Sequence, residues 1–159
     1  MGQSSRVLFT SLTALIMAVG AYGATTGSIT ISGSVPGATA IVVNSVAGYN
    51  NLDLTASPVD LSVASVREIN NTANGYTVTL ASTNAGQLKN GTSGLAYTAK
   101  YNNVSVTLSA TPTLITNSPP STSIVNVVKP FAVSYTGAAA ETMAAGTYSD
   151  TLTFTIAAN

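Results

Sequence analysis

Hydrophobic and polar residues alternate along much of this chain with a period of two, the pattern of strands that show one face to a core and the other to water. The pattern is cleanest in "TTGSITISGSVPG", residues 25–37, where Gly27, Ile29, Ile31, Gly33 and Val35 share one parity and Thr26, Ser28, Thr30, Ser32 and Ser34 the other. Shorter runs follow: "AIVVN" at 40–44, Leu52 and Leu54 around Asp53, Val59, Leu61, Val63 and Ser65 in "VDLSVAS", and Tyr76, Val78 and Leu80 after the Asn74-Gly75 turn signal. "LAYTAKY" and "VSVTL" flank Asn102-Asn103, a pair suited to the left-handed backbone of a tight turn, and this predicts a β-hairpin. "TLITNSPPSTS" reads as an exposed loop or edge crossing. In "IVNVVKPFAVSY", Pro130 removes a ladder donor and predicts an edge, a bulge or two strands.

The final run, "GTYSDTLTFTIAAN", places Tyr148, Leu152, Phe154 and Ile156 on one parity and predicts a single long strand. Asp150 breaks its apolar face, which predicts either a bulge or a carboxylate capping backbone groups at the sheet's rim. "GAAAETMAAG" is too short, and too closely flanked by glycine, to predict more than a connection. Strands recurring every ten or so residues between Gly, Pro, Asn and Ser predict an all-β fold of the sandwich kind.

The first 23 residues stand apart from this pattern: Arg6 precedes an apolar run, Val7–Val19, that ends in Ala21-Tyr22-Gly23. That is the form of a secretory signal peptide, and the run is shorter than the about 20 residues a membrane-spanning helix needs. A mature chain of 24–159 suffices for one domain with a single core. It carries four basic residues (Arg67, Lys89, Lys100, Lys129) against five acidic ones (Asp53, Asp60, Glu68, Glu141, Asp150). Such sparse charge does not provide the clustered cations that nucleic acid or anionic membranes require.

The chain has no cysteine and no histidine, so disulfide staples, the thiol nucleophile, the imidazole base and the commonest zinc ligands are all excluded. The acidic residues are scattered, so neither paired-acid hydrolysis nor a calcium loop is predicted. The reading is of a protein that is not an enzyme and takes no cofactor or metal. From periodicity alone, residues 25–37 fit the first strand of a closed sandwich better than a strand given to another molecule.

The segments "ITISGSVPG", "NGYTVTLASTNAGQLKNGTSGLAYTAKYNN" and "AAGTYSDTLTFTI", in that order after a signal peptide, resemble the subunits of bacterial chaperone–usher fimbriae. The likeness is to the cysteine-free, colonisation-factor (alpha-clade) type and the related spore-coat-U-like, archaic type. Many spore-coat-U-like subunits carry cysteines, and their absence here draws the match toward the alpha clade. The resemblance implies an incomplete immunoglobulin-like β-sandwich completed by donor-strand exchange, with a signal peptide at 1–23, a donor-strand extension at 24–36 and the pilin-like domain at 37–159. It implies that Ile29, Ile31, Gly33 and Val35 enter the groove of a neighbouring subunit, and that Gly146, Tyr148, Asp150, Leu152, Phe154 and Ile156 form the carboxy-terminal strand motif.

The implied partners are identical or related subunits, a periplasmic chaperone, an outer-membrane usher and a host or surface receptor, and the implied location is a cell-surface fimbria reached through the periplasm. Burying Ile29, Ile31 and Val35 would contribute at most about 5 to 9 kcal/mol. The alternative function is an exported, monomeric β-sandwich that binds glycans or another surface, with tyrosines as stacking faces. Tyr76, Tyr97, Tyr101, Tyr135 and Tyr148 lie on predicted strands, however, where packing is the expected role.

Overall fold

The computed structural model describes residues 26–159; the expected signal peptide and the first two residues of the expected extension lie outside the described residues. Residues 35–159 form one compact unit to which residues 26–34 do not belong. No residue from Thr26 to Ala38 is in a strand.

The compact unit is all-β. Nine strands run in the order β1 (Thr39–Ser45), β2 (Leu61–Asn70), β3 (Tyr76–Ser82), β4 (Gln87–Asn90), β5 (Ser93–Tyr101), β6 (Val104–Val106), β7 (Thr113–Ser118), β8 (Val125–Tyr135) and β9 (Leu152–Ala158). The larger sheet has the order β1-β2-β8-β5-β4, with β6 also paired to β5, and the smaller has β7-β3-β9. All pairings are antiparallel. Ala140–Thr142 makes a single 3₁₀ turn.

The two sheets share one core. Val66, Tyr97, Tyr101, Phe131, Val133 and Tyr135 of the larger sheet meet Leu80 of the smaller, with Ile41, Ile115, Leu152 and Phe154 packed against them. Phe131 meets Phe154 edge-on at 5.3 Å between ring centroids, a favoured aromatic geometry. Leu52 and Leu54 reach this core from an irregular segment rather than from a strand.

Several sequence expectations find their place. Asn102 and Asn103 both adopt positive φ (50° and 64°) and join β5 to β6, as their tolerance of the left-handed region allows. Gly75 has φ 82° ahead of β3, where a Cβ would fall 2.2 Å from the Ser118 carbonyl oxygen, so only glycine fits.

Others are corrected. The parity read through Val59, Leu61 and Val63 does not persist: the register of β2 shifts between Ser62 and Ala64, and Ala64, Val66, Glu68 and Asn70 become the buried face. One irregular residue moves all the following side chains to the other side. Thr113–Ser118, read as part of an exposed loop or edge crossing, is β7, an outer strand of the smaller sheet, and residues 119–123 of that stretch are irregular. The expected long terminal strand starts only at Leu152, after an isolated bridge from Ser149 to Lys89.

Pro130 is likewise no edge residue. It lies inside the continuous β8, with β2 on one side and β5 on the other. The Asn102 amide donates to the Pro130 carbonyl (2.9 Å), so proline's backbone faces the β5 side, one residue beyond the last ladder pair Tyr101↔Phe131. The missing N–H therefore points at the solvent-exposed Asn102 turn, where water can satisfy the carbonyl left without a donor.

Candidate functional site

β1 and β9 are the outer strands of the two sheets, and they neighbour each other without being hydrogen-bonded. Their backbone directions follow from the bonds at their ends. The Thr83 amide donates to the Thr151 carbonyl and the Asn159 amide to the Gly75 carbonyl. Odd-numbered residues along β9 thus face β3, while the amides and carbonyls of Leu152, Phe154, Ile156 and Ala158 face away from it.

On β1, the Asn71 amide donates to Ala38 and the Val46 amide to Val63, so even-numbered residues face β2. The backbone groups of Thr39, Ile41, Val43 and Ser45 then point to the open side. Among the described residues, neither open edge has a backbone hydrogen-bond partner.

The side chains of the same residues face inward. Between the edges lies a cavity of about 320 Å³ lined chiefly by apolar groups, among them Val43, Val63, Phe131, Val133, Leu152 and Phe154. This arrangement offers hydrogen-bonding backbone on both walls and an apolar floor. Such a groove has the chemistry to accept one extended strand whose alternate side chains are apolar.

The residues expected to donate a strand are all solvent-exposed: Ile29 is 86 % exposed, Ile31 89 % and Val35 85 %. A Cβ on Gly33 would meet nothing within 4 Å. Of the expected terminal motif, Leu152, Phe154 and Ile156 lie on β9 and face the core side. Gly146 has φ 141° and sits so close to Asn90 that a Cβ would fall 2.5 Å from its amide nitrogen. The Tyr148 hydroxyl is 2.6 Å from Ser93 Oγ and donates to the Ala144 carbonyl at 3.1 Å.

Asp150 is a rim cap. Its carboxylate accepts from the backbone amides of Asn84 (2.9 Å) and Thr151 (2.7 Å), and from the hydroxyls of Ser82 and Tyr97 (2.6 Å each). These bonds fix the chain as it enters β9 at the mouth of the groove.

A second cluster escaped sequence reasoning. Glu68 on β2 is fully buried and accepts hydrogen bonds from the hydroxyls of Tyr76 (2.7 Å), Tyr101 and Thr116 (3.0 Å), and from Lys129 Nζ (2.7 Å). Lys129 also bonds Thr116 Oγ1 at 3.0 Å and lies 5.3 Å from the centre of the Tyr101 ring. Burial opposes the Glu68 charge, but Lys129, Tyr101, Tyr76 and Thr116 together outweigh it and hold the carboxyl below its usual range. Burial, followed by the bond to Glu68, raises Tyr76 and Tyr101; burial, followed by the bond to Asp150, raises Tyr97.

Part of the signal was present in the sequence, although the parity that places Glu68 inside is set by the β2 irregularity. A carboxylate on the Ala64–Asn70 core parity, one lysine within an apolar run and several buried hydroxyls must satisfy one another. Among the described residues, no three His, Cys, Asp or Glu side chains converge as a metal site.

A further cleft of about 710 Å³ is lined by the exposed Tyr49 together with Asn50, Asn51, Asp53 and Tyr148. Tyr76, Tyr97, Tyr101 and Tyr135 are buried, and Tyr97 and Tyr135 contribute to the wall of the 320 Å³ cavity. No protein-family model matches the chain, and no curated protein matches it.

Proposed function

We propose that this chain is a structural subunit of a surface fibre, an immunoglobulin-like sandwich with one strand missing, polymerised by donation of residues 27–35 to the β1–β9 groove of the next copy. The observation that carries this reading is the pair of open edges on β1 and β9 over an apolar cavity, in a chain whose cleanest alternating segment is exposed and unpaired. A strand entering the groove satisfies both edges and buries Ile29, Ile31 and Val35. Because each copy gives one strand and takes one, the contact is heterologous and need not close on itself. The resemblance to chaperone–usher subunits supplies the rest of the proposal: export through the periplasm, a chaperone that covers the groove, and an outer-membrane usher that exchanges it.

The test is size-exclusion chromatography of the mature chain against a version with its own residues 25–36 fused after Asn159. The fusion is expected to elute as a stable monomer, and the unfused chain as polymer or aggregate. Two indistinguishable, stable monomers would overturn the reading. The cleft at Tyr49 and Asn50 favours a second reading, a monomeric module that binds glycans; glycan-array binding by an unfused monomer would support it.

A further inference from the structure

The leader joins the domain directly at the start of β1, one of the groove's own walls. A segment tethered this closely has an effective concentration on the order of mM toward that groove, far above any micromolar neighbour. A polymerising subunit therefore needs something that stops it from capping itself.

The self-capping fold is a hairpin in which the leader turns back along β1, and strand parity limits its form. Residues directly opposite in an antiparallel pair share a face, and the inward residues of β1 are Thr39, Ile41 and Val43. A two-residue turn at Pro36-Gly37 sets Ile31 opposite Val42 and sends Thr30 and Ser32 into the core, which is the wrong face. Right parity needs a loop of odd length, of which the shortest has three residues. If the loop is Val35–Gly37, the common geometry puts its third residue, Gly37, at positive φ. If it is Pro36–Ala38, Ala38 must leave the β1 ladder.

Asn71 opposes both. Its side-chain carbonyl accepts the Ala38 amide, its side-chain amide donates to the Pro36 carbonyl at 3.1 Å, and its backbone amide donates to the Ala38 carbonyl at 3.0 Å. Gly37, held between the two side-chain bonds, does not have positive φ. Pro-Gly, a pair that commonly turns a chain, is here kept from turning.

We propose that Asn71 is a positioning residue that denies the leader its own groove and so reserves residues 27–35 for a second copy of this chain. The inference rests on the strand-donation reading.

The absence of cysteine allows a clean test. Ile31→Cys/Val43→Cys chains, with Asn71 kept or changed to Ala, are refolded at two concentrations and treated with a bis-maleimide spanning about 8 Å, enough for opposite and diagonal neighbours. With Asn71 present, the expected product is an intermolecular ladder that grows with concentration. With Asn71→Ala, it is an internally bridged monomer, at least tenfold enriched and independent of concentration. Asn71→Asp keeps the acceptor for Ala38 and loses the donor to Pro36, so its bridged fraction should lie between; it decides the matter should the alanine variant fail to fold.

A ladder in the Asn71 variants equal to that of the parent overturns the role of Asn71 and leaves donation standing. An internal bridge already dominant in the parent also overturns the role of Asn71. If neither chain gives either product, the leader never meets the groove, and the donation reading falls together with the inference.

Discussion

The two flanks of the molecule are built in opposite ways. On one, β6 runs through residues 107–112 into β7, so the chain itself stitches the larger sheet to the smaller. The Thr113 hydroxyl bonds back to the Thr107 carbonyl (2.9 Å), and the Ser82 amide to the Ser109 carbonyl (2.8 Å). Thr116 of β7 and Tyr76 of β3 meet Glu68, Tyr101 and Lys129 of the other sheet in one hydrogen-bonded cluster. On the other flank, β1 and β9 face one another across an apolar cavity with no bond between them. A two-sheet protein with one seam locked by covalent connection and buried polar pairing can hold its layers together while the other seam stays open.

The largest effect expected from breaking this contrast is at the locked seam. Glu68→Gln leaves Lys129 without its carboxylate and should cost about 3–5 kcal/mol in chemical denaturation, the usual penalty for halving a buried ion pair. The same seam sets the pH limits. Glu68 is held below its usual range when folded, so its contribution is complete above the unfolded carboxyl value and is lost as pH falls through the lower folded one. Tyr76 and Tyr101 are raised, so their contribution is complete below the ordinary phenol range and is lost as pH rises through their folded values. Denaturant midpoints measured across pH should fall at both extremes, and Glu68→Gln should flatten the acid limb. An unchanged acid limb would show that Glu68 does not carry it.

Next in size is Asp150→Ala at the mouth of the open seam. It strands two backbone amides and the Tyr97 hydroxyl, and about 1–3 kcal/mol should be lost. A fully stable variant would remove the capping role. Phe154→Ala sharpens the comparison further. Because Phe154 is only half-buried, it should cost about 1–2 kcal/mol in the unfused chain, below the range for a fully buried phenylalanine, and clearly more once residues 25–36 are fused after Asn159. Equal costs in the two chains would mean that no strand covers the ring.

Smallest is Val43→Asp, on the exposed side of the groove. It should change the unfused chain's stability by less than about 1 kcal/mol, yet, on the donation reading, should prevent polymer formation by placing a charge where the donated apolar strand would lie. Sedimentation of the refolded variant separates the two outcomes.

Much of the strand framework was legible because it depends on near neighbours. Asn102-Asn103 announces its turn, and Leu152, Phe154 and Ile156 announce their inward face by simple alternation. The misreadings arise where a distant element decides. The β2 parity is reset by an irregularity opposite β8, and Thr113–Ser118 becomes a strand because β3 supplies a partner. Glu68 and Arg67 are adjacent on β2 and point to opposite faces, and which face is inside depends on that same reset: Arg67 reaches Asn126 at the surface, while Glu68 faces the tyrosines. The open edges of β1 and β9 were not legible from alternation, which does not say which strands pair; only the family resemblance implied a groove.

Pro130 carries a consequence for how reliably the larger sheet assembles. Its missing donor faces the β5 side at the one position where the strand opposite has already ended. If β8 slid by one residue pair so that proline fell against the body of β5, a ladder carbonyl would lose its donor, at a cost of about 1–3 kcal/mol. An imino acid in mid-sheet thus serves as an alignment peg, raising the energy of the slipped pairing while leaving the native one almost untouched.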